Sequence, residues 1–172
     1  MSSVAKAKLT SVHSDSNLNN GINKGDRKSL ALRLSEALSD SYMLYLKTQN
    51  VHWNIVGPMF YSVHELTEKQ YLDMAEAIDD IAERIRAIGF TAPGSFQEFS
   101  QYTIIKESSG KAESESMIAS LVEGNEMCAR RLREAVAEAE KVDDVKTADL
   151  LTDRIGQHEQ NAWMLRSLIS KS

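Results

Sequence analysis

Cysteine is almost missing from this chain: Cys128 is the only one among 172 residues. That rules out an intrachain disulfide framework and a Cys-rich zinc site, and it suits a reducing compartment. Cys128 itself reads as a small buried apolar residue. Proline is nearly as scarce, with only Pro58 and Pro93, so little interrupts long helices. No apolar run approaches the roughly 20 residues that cross a bilayer, and the N-terminus has no apolar signal-peptide core. The expectation is a cytoplasmic protein without a membrane partner. Positive charge is also in deficit, with 20 Lys and Arg against 25 Asp and Glu and a net charge of -5. A folded body of this charge lacks the clustered cations that phosphate contacts require.

What is present divides unevenly. Residues 1–28 are rich in Ser, Asn and Gly, have no aromatic residue, and set Lys6, Lys8, Lys24, Arg27 and Lys28 against Asp15 and Asp26. This stretch reads as a flexible, mildly basic tail. It is either a solubilising terminus or a weak DNA contact, and its His13 and Asp15 read as flexible polar sequence. Residues 29–172 form one domain, long enough to bury a sizeable core.

That domain is helical by pattern, with no convincing strand alternation. One segment spans about 29 to 55 and stops at Gly57-Pro58. A second spans about 60 to 88 and stops at Gly89. The stretch TAPGSFQEFSQYTII then makes a long connection with room for a short helix. A third segment, about 111 to 140, carries a stripe at Met117, Leu121, Gly124, Cys128, Leu132, Ala135 and Ala139. A fourth, about 145 to 169, repeats Ala148, Leu151, Ile155, His158, Ala162, Leu165 and Ile169 at spacings of three and four. His158 falls on that apolar stripe and reads as a packed core histidine. The fold class is all-α: a four-helix bundle with a long crossover between the second and third helices.

A di-iron centre inside one bundle needs Glu-x-x-His pairs on two helices. None of His52, His64 and His158 has a glutamate three residues before it, so an intrachain centre is not expected. The second helix offers a different arrangement. At 100° per residue, with His64 at zero, Glu68 lies at about 40°, Asp79 at about 60° and Glu83 at about 100°. Val63, Met74, Ile78, Ile81, Ile85 and Ile88 gather at about 240° to 320°, on the bundle-facing side. The potential ligands therefore point away from their own core.

Distance separates them into pairs. His64/Glu68 and Asp79/Glu83 lie about 22 Å apart along a straight helix, far beyond the reach of one metal ion. Two copies of this helix running antiparallel across a twofold axis near Asp73 and Met74 would bring each pair to the other copy's complement. His52 could then fold back across the Gly-Pro turn towards His64. Nitrogen and oxygen donors of this kind suit Fe, Zn or Mn, and a shell with open positions suits redox iron. By spacing alone, a solvated acidic helix face is the commoner reading of such a pattern.

The segments KTQNVHWNIVGPMFYSVHELTEKQY, EAIDDIAERIRAIG and DDVKTADLLTDRI resemble the Dps family, ferritin-like DNA-binding proteins from starved cells, across about residues 27 to 170. The resemblance implies a hollow homododecamer with 23 symmetry. Such a protein oxidises Fe(II), preferentially with hydrogen peroxide, at sites between twofold-related subunits and stores the ferric mineral inside. Carried over by position, His52 and His64 come from one subunit and Asp79 and Glu83 from its partner, holding up to two iron ions per site. Glu68 stands where the family usually has Asp. Trp53 matches a tryptophan beside the site. Asp149, with Asp153 next to it, matches acids lining a threefold pore through which iron enters, although Lys146 stands where some relatives have a further acid. The plainer role for these two aspartates is to complement a helix N-terminus. DNA binding through twelve displayed tails, with nucleoid association, is the other function the resemblance allows.

Overall fold

The computed structural model describes residues 18–108 and 111–170; most of the tail, including His13 and Asp15, lies outside them. Five helices follow in order: α1 (Lys24–Asn54), α2 (Phe60–Ala87), α3 (Phe96–Tyr102), α4 (Ser114–Glu140) and α5 (Val145–Ile169). No strand occurs among the described residues. Helix α1 packs on α2 and on α4, α4 packs on α5, and α5 closes the ring against α2. The short α3 lies in the crossover and rests on α1. No helix is long and apolar enough to cross a membrane among the described residues.

The first helix begins earlier than its composition suggests, which moves residues 24–28 from the expected tail into the bundle. Asn23 caps it, its side chain accepting from the Asp26 backbone N–H at 3.0 Å, and Asp26 adds an acid to the first turn where the helix dipole favours one. Arg27 is 5% exposed and donates to the carbonyl of Ile88 at 3.0 Å, satisfying an acceptor just past the end of α2. Helix α4 starts at Ser114, a little later than the pattern indicates, while α5 has the bounds its periodicity predicts.

Two breaks set the geometry of the site. Gly57 takes φ +92° ahead of Pro58, and Phe60 then donates to the Gly57 carbonyl at 3.0 Å to open α2. Gly89, at φ +95°, ends α2 in a left-handed cap in which Phe90 N–H reaches back to the Ile85 carbonyl at 3.1 Å. The crossover is fixed to α1 through Asp40, whose Oδ1 accepts from the Thr103 hydroxyl and the Ile104 N–H, each at 2.8 Å. Tyr42 stacks on Phe99 with centroids 4.6 Å apart.

Every position of the expected α4 stripe is buried. At Gly124 a Cβ would stand 2.7 Å from Leu44 Cδ1, so a larger residue there would force the Leu44 side chain to shift. The apolar interior forms two clusters. One is built around Leu30, Leu34, Ile81, Ile85 and Leu132, the other around Leu44, Val51, Val63, Met74 and Leu121. Buried polar residues come between them on α1, at Ser39 to Ser41, and on α5, at His158, which meets the buried Asn125 of α4.

His158 is 1% exposed, and its Nδ1 lies 2.9 Å from Asn125 Oδ1. Burial first, and the Arg154 guanidinium second, lower its pKa to about 3. The folded protein thus holds a neutral ring, whereas the unfolded chain takes up a proton near pH 6.5. The stability this group contributes is complete above about 6.5 and is lost as pH falls towards 3. In His158→Gln, the acid side of the pH–stability profile should flatten by up to about 1.4 kcal/mol per pH unit. Denaturant titrations of both proteins between pH 7 and 4 check this; parallel profiles would show that the ring is not the group responsible.

Candidate metal site at the end of the second helix

His52 sits in the last turn of α1 and His64 in the second turn of α2, and the Gly57-Pro58 break folds one onto the other. Their rings stack with centroids 3.8 Å apart and planes 17° from parallel. His52 Nδ1 lies 2.9 Å from the His64 carbonyl, and His64 Nδ1 lies 3.0 Å from the His52 carbonyl. A carbonyl can only accept, so each Nδ1 carries a hydrogen, and in the neutral ring this leaves the lone pair on Nε2. That tautomer, set by a reciprocal contact to backbone, suits a metal at Nε2. The His52 carbonyl lies in the last turn of α1, where helical partners run out, so the contact also satisfies an orphan acceptor.

The surroundings hold the pair in place. Phe60 stacks on His64 at 5.1 Å. Thr67 is fully buried and donates to the Val63 carbonyl at 2.6 Å, with its oxygen 3.4 Å from His52 Nδ1. Tyr71 meets the His52 ring edge-on at 5.2 Å, and its hydroxyl donates to Glu68 Oε1 at 3.5 Å. Removal from solvent first, then the Glu68 carboxylate, raise the Tyr71 pKa above the ordinary phenol value, so at neutral pH the hydroxyl has a proton to donate. Neither Thr67 nor Tyr71 stands out in the sequence. For Tyr71 the signal was its position three residues after Glu68, one helical turn away.

His52 is 7% exposed, and His64 and Glu68 are half-buried. Asp79 and Glu83, on the same helix, are exposed and have no hydrogen bond or ion pair among the described residues. Within one chain, no three His, Cys, Asp or Glu side chains come together as a metal cage among the described residues. The structure brings His52 and His64 together, with Glu68 one turn beyond His64 on α2, and leaves Asp79 and Glu83 apart from them. Trp53, Val56, Tyr61 and Leu72, near these residues along the chain, are exposed apolar side chains, and Leu72 lies between the two pairs along α2.

Asp149 and Asp153 lie on the exposed side of α5 and take no part in the histidine cluster. Lys146 Nζ stands 3.6 Å from Asp149 Oδ2, a solvent-exposed pair of little energetic weight. Arg84, next to Glu83, is committed to α5 instead. It donates to Thr147 Oγ1 at 2.8 Å and to Asp144 Oδ1 at 2.6 Å. Burial opposes the charge on Asp144, but the hydrogen bonds from Arg84 and Thr147 outweigh it and lower its pKa.

Residues 31–172 match the ferritin-like domain family. The chain is 33% identical to DNA protection during starvation protein 2 of Bacillus anthracis, over 80% of this chain and 94% of that one. The chain belongs to the Dps family of ferritin-like proteins. It is also 41% identical to an uncharacterized low temperature-induced protein of Nostoc sp., over 88% of this chain and 86% of the relative. Among solved structures, a Dps protein from Vibrio cholerae O1 superposes with a TM-score of 0.82 at 27% identity, covering 90% of this chain and all of that one. That protein is described as a member of a broad superfamily of ferritin-like diiron-carboxylate proteins. Membership of this family supports a role in iron storage and protection.

Proposed function

We propose that this Dps-family chain is a ferroxidase and iron-storage subunit that acts in the cytoplasm as a homododecamer. It oxidises Fe(II), preferentially with hydrogen peroxide, at sites shared between twofold-related subunits, and it keeps the ferric mineral inside the cage. One observation carries the reading: His52 and His64 lock each other with both Nε2 atoms free, while Asp79 and Glu83 stand uncommitted on the same helix. Each end of α2 is half of a donor set. Antiparallel pairing of two copies joins His52, His64 and Glu68 of one with Asp79 and Glu83 of the other, giving two equivalent sites per dimer. In that register Leu72 of each copy meets Ala75 of the other, large against small, and the exposed Leu72 becomes interface.

The chemistry follows from holding up to two Fe(II) ions at one site. Each gives up one electron, the O–O bond of one peroxide takes both, and two protons complete two waters, so no hydroxyl radical is released. The imidazole nitrogens bind Fe(II), and the carboxylates of Asp79, Glu83 and Glu68 offset the added charge of Fe(III). Keeping iron and peroxide from reacting freely would protect DNA from oxidative damage. Asp149 and Asp153 would line the iron route at the threefold axis, with Lys146 reducing its negative potential. Anaerobic titration with Fe(II) tests the site directly. Saturable binding at two equivalent sites per dimer is expected; its absence would reduce the acidic face to solvated surface.

Direct DNA binding through the N-terminal tail is the second reading. The name of the Bacillus anthracis relative favours DNA protection. Against direct binding, Arg27 is buried in the bundle and Lys24 opens α1, which leaves a weaker cationic arm. A gel shift at low salt, where such contacts are strongest, decides it.

A further inference from the structure

We propose that Tyr71 is a positioning residue of the iron site, fixing the Glu68 carboxylate through its hydroxyl and the plane of the His52 ring through its own ring. The inference rests on the inter-subunit ferroxidase reading and deepens it. Glu68 has one more methylene than the aspartate its position resembles, and an unrestrained glutamate has more rotamers to lose on binding a metal. Tyr71 lies one turn further along α2, and its hydroxyl reaches Glu68 Oε1 at 3.5 Å, the long end of hydrogen bonding. The contact narrows the carboxylate's range and leaves Oε2 for the metal.

The tyrosine is itself supported. Tyr45, on α1, meets its ring edge-on with centroids 6.0 Å apart, and Gln49 donates to the Tyr45 hydroxyl at 2.9 Å. On its other side the Tyr71 ring packs at 81° to the His52 imidazole, 5.2 Å away. One side chain thus touches a nitrogen donor and an oxygen donor that belong to different helices. Ligand orientation by such outer contacts typically changes metal affinity more than it changes the chemistry.

The test uses the assembled full chain, with Fe(II) as probe, in anaerobic titrations and in peroxide-driven oxidation at varied Fe(II). Tyr71→Phe keeps the ring and removes the hydroxyl. Its Fe(II) dissociation constant and KM should rise about threefold to tenfold, the loss of one hydrogen bond to a charged acceptor, with kcat close to wild type. Glu68→Gln should weaken binding further, and adding Tyr71→Phe to it should cost nothing more, because no carboxylate remains to be oriented. Tyr71→Leu, which also removes the ring beside His52, should bind more weakly than Tyr71→Phe. Wild-type titration of Tyr71→Phe overturns the proposal, and so does an equal cost of that substitution with and without the Glu68 carboxylate. If His52→Ala/His64→Ala titrates like wild type, the ferroxidase site is misplaced and the role of Tyr71 falls with it.

Discussion

Replacing His52 and His64 together with alanine is expected to reduce peroxide-driven Fe(II) oxidation to the rate of iron free in solution, while the oligomer persists. The two rings supply every nitrogen donor of the half-site, and each also fixes the other's tautomer through its backbone carbonyl. Removing one ring therefore disorients the second as well as deleting a ligand. Single variants should lose most of the activity, and the double variant little more than either alone. Assembly should survive because the inner face of α2, at Val63, Met74, Ile81 and Ile85, is untouched and buried, and the exposed side chains that would pair two copies are untouched too. The carbonyls of His52 and His64 lose side-chain donors, a local cost of about 1 kcal/mol each. Stopped-flow absorbance of ferric product, with light scattering to confirm size, measures both halves of the statement. Oxidation at the wild-type rate would place the chemistry elsewhere.

The second large effect is a rescue. Asp79→Ala/Glu83→Ala should be as inactive as the double histidine variant, because each removes one half of every site. Co-expressed, the two inactive chains form mixed dimers in which one site loses both halves and the other keeps both. Random pairing makes half of all dimers mixed, so activity should return to about a quarter of wild type. No intrachain site can behave this way, since each chain would carry its own defect. Failure of the mixture to recover, with mixed dimers verified by mass, would exclude the shared site. Recovery would fix the relation between copies as antiparallel along α2, because a parallel pair would set histidines against histidines.

Much of the fold was legible because helix period and helix breakers are local properties. The α4 stripe is buried, the α5 stripe is buried at Leu151, His158, Ala162 and Leu165 and half-buried at Ala148, Ile155 and Ile169, and the Gly-Pro and Gly breaks fall where α1 and α2 end. The start of α1 departs from its composition for a reason that is also physical. Residues 24–28 look like tail by composition, yet Asn23 caps the helix locally, and the α2 terminus, 61 positions away from Arg27, holds that arginine inside. Composition carries no record of such a partner. The cyclic order of the helices, the closeness that Gly124 permits and the polar level at His158 are likewise decided by packing.

The site divides along the same line. Helical rise and twist, constants of the backbone, already place the ligand-type residues on the outer face of α2 and separate them by about 22 Å into two pairs. That His52 lies against His64, that each Nδ1 is committed to the other's carbonyl and that Tyr71 reaches Glu68 come from tertiary packing. Those contacts depend on how the chain turns at Gly57 and on side chains from two helices meeting, and no periodicity within either helix specifies them.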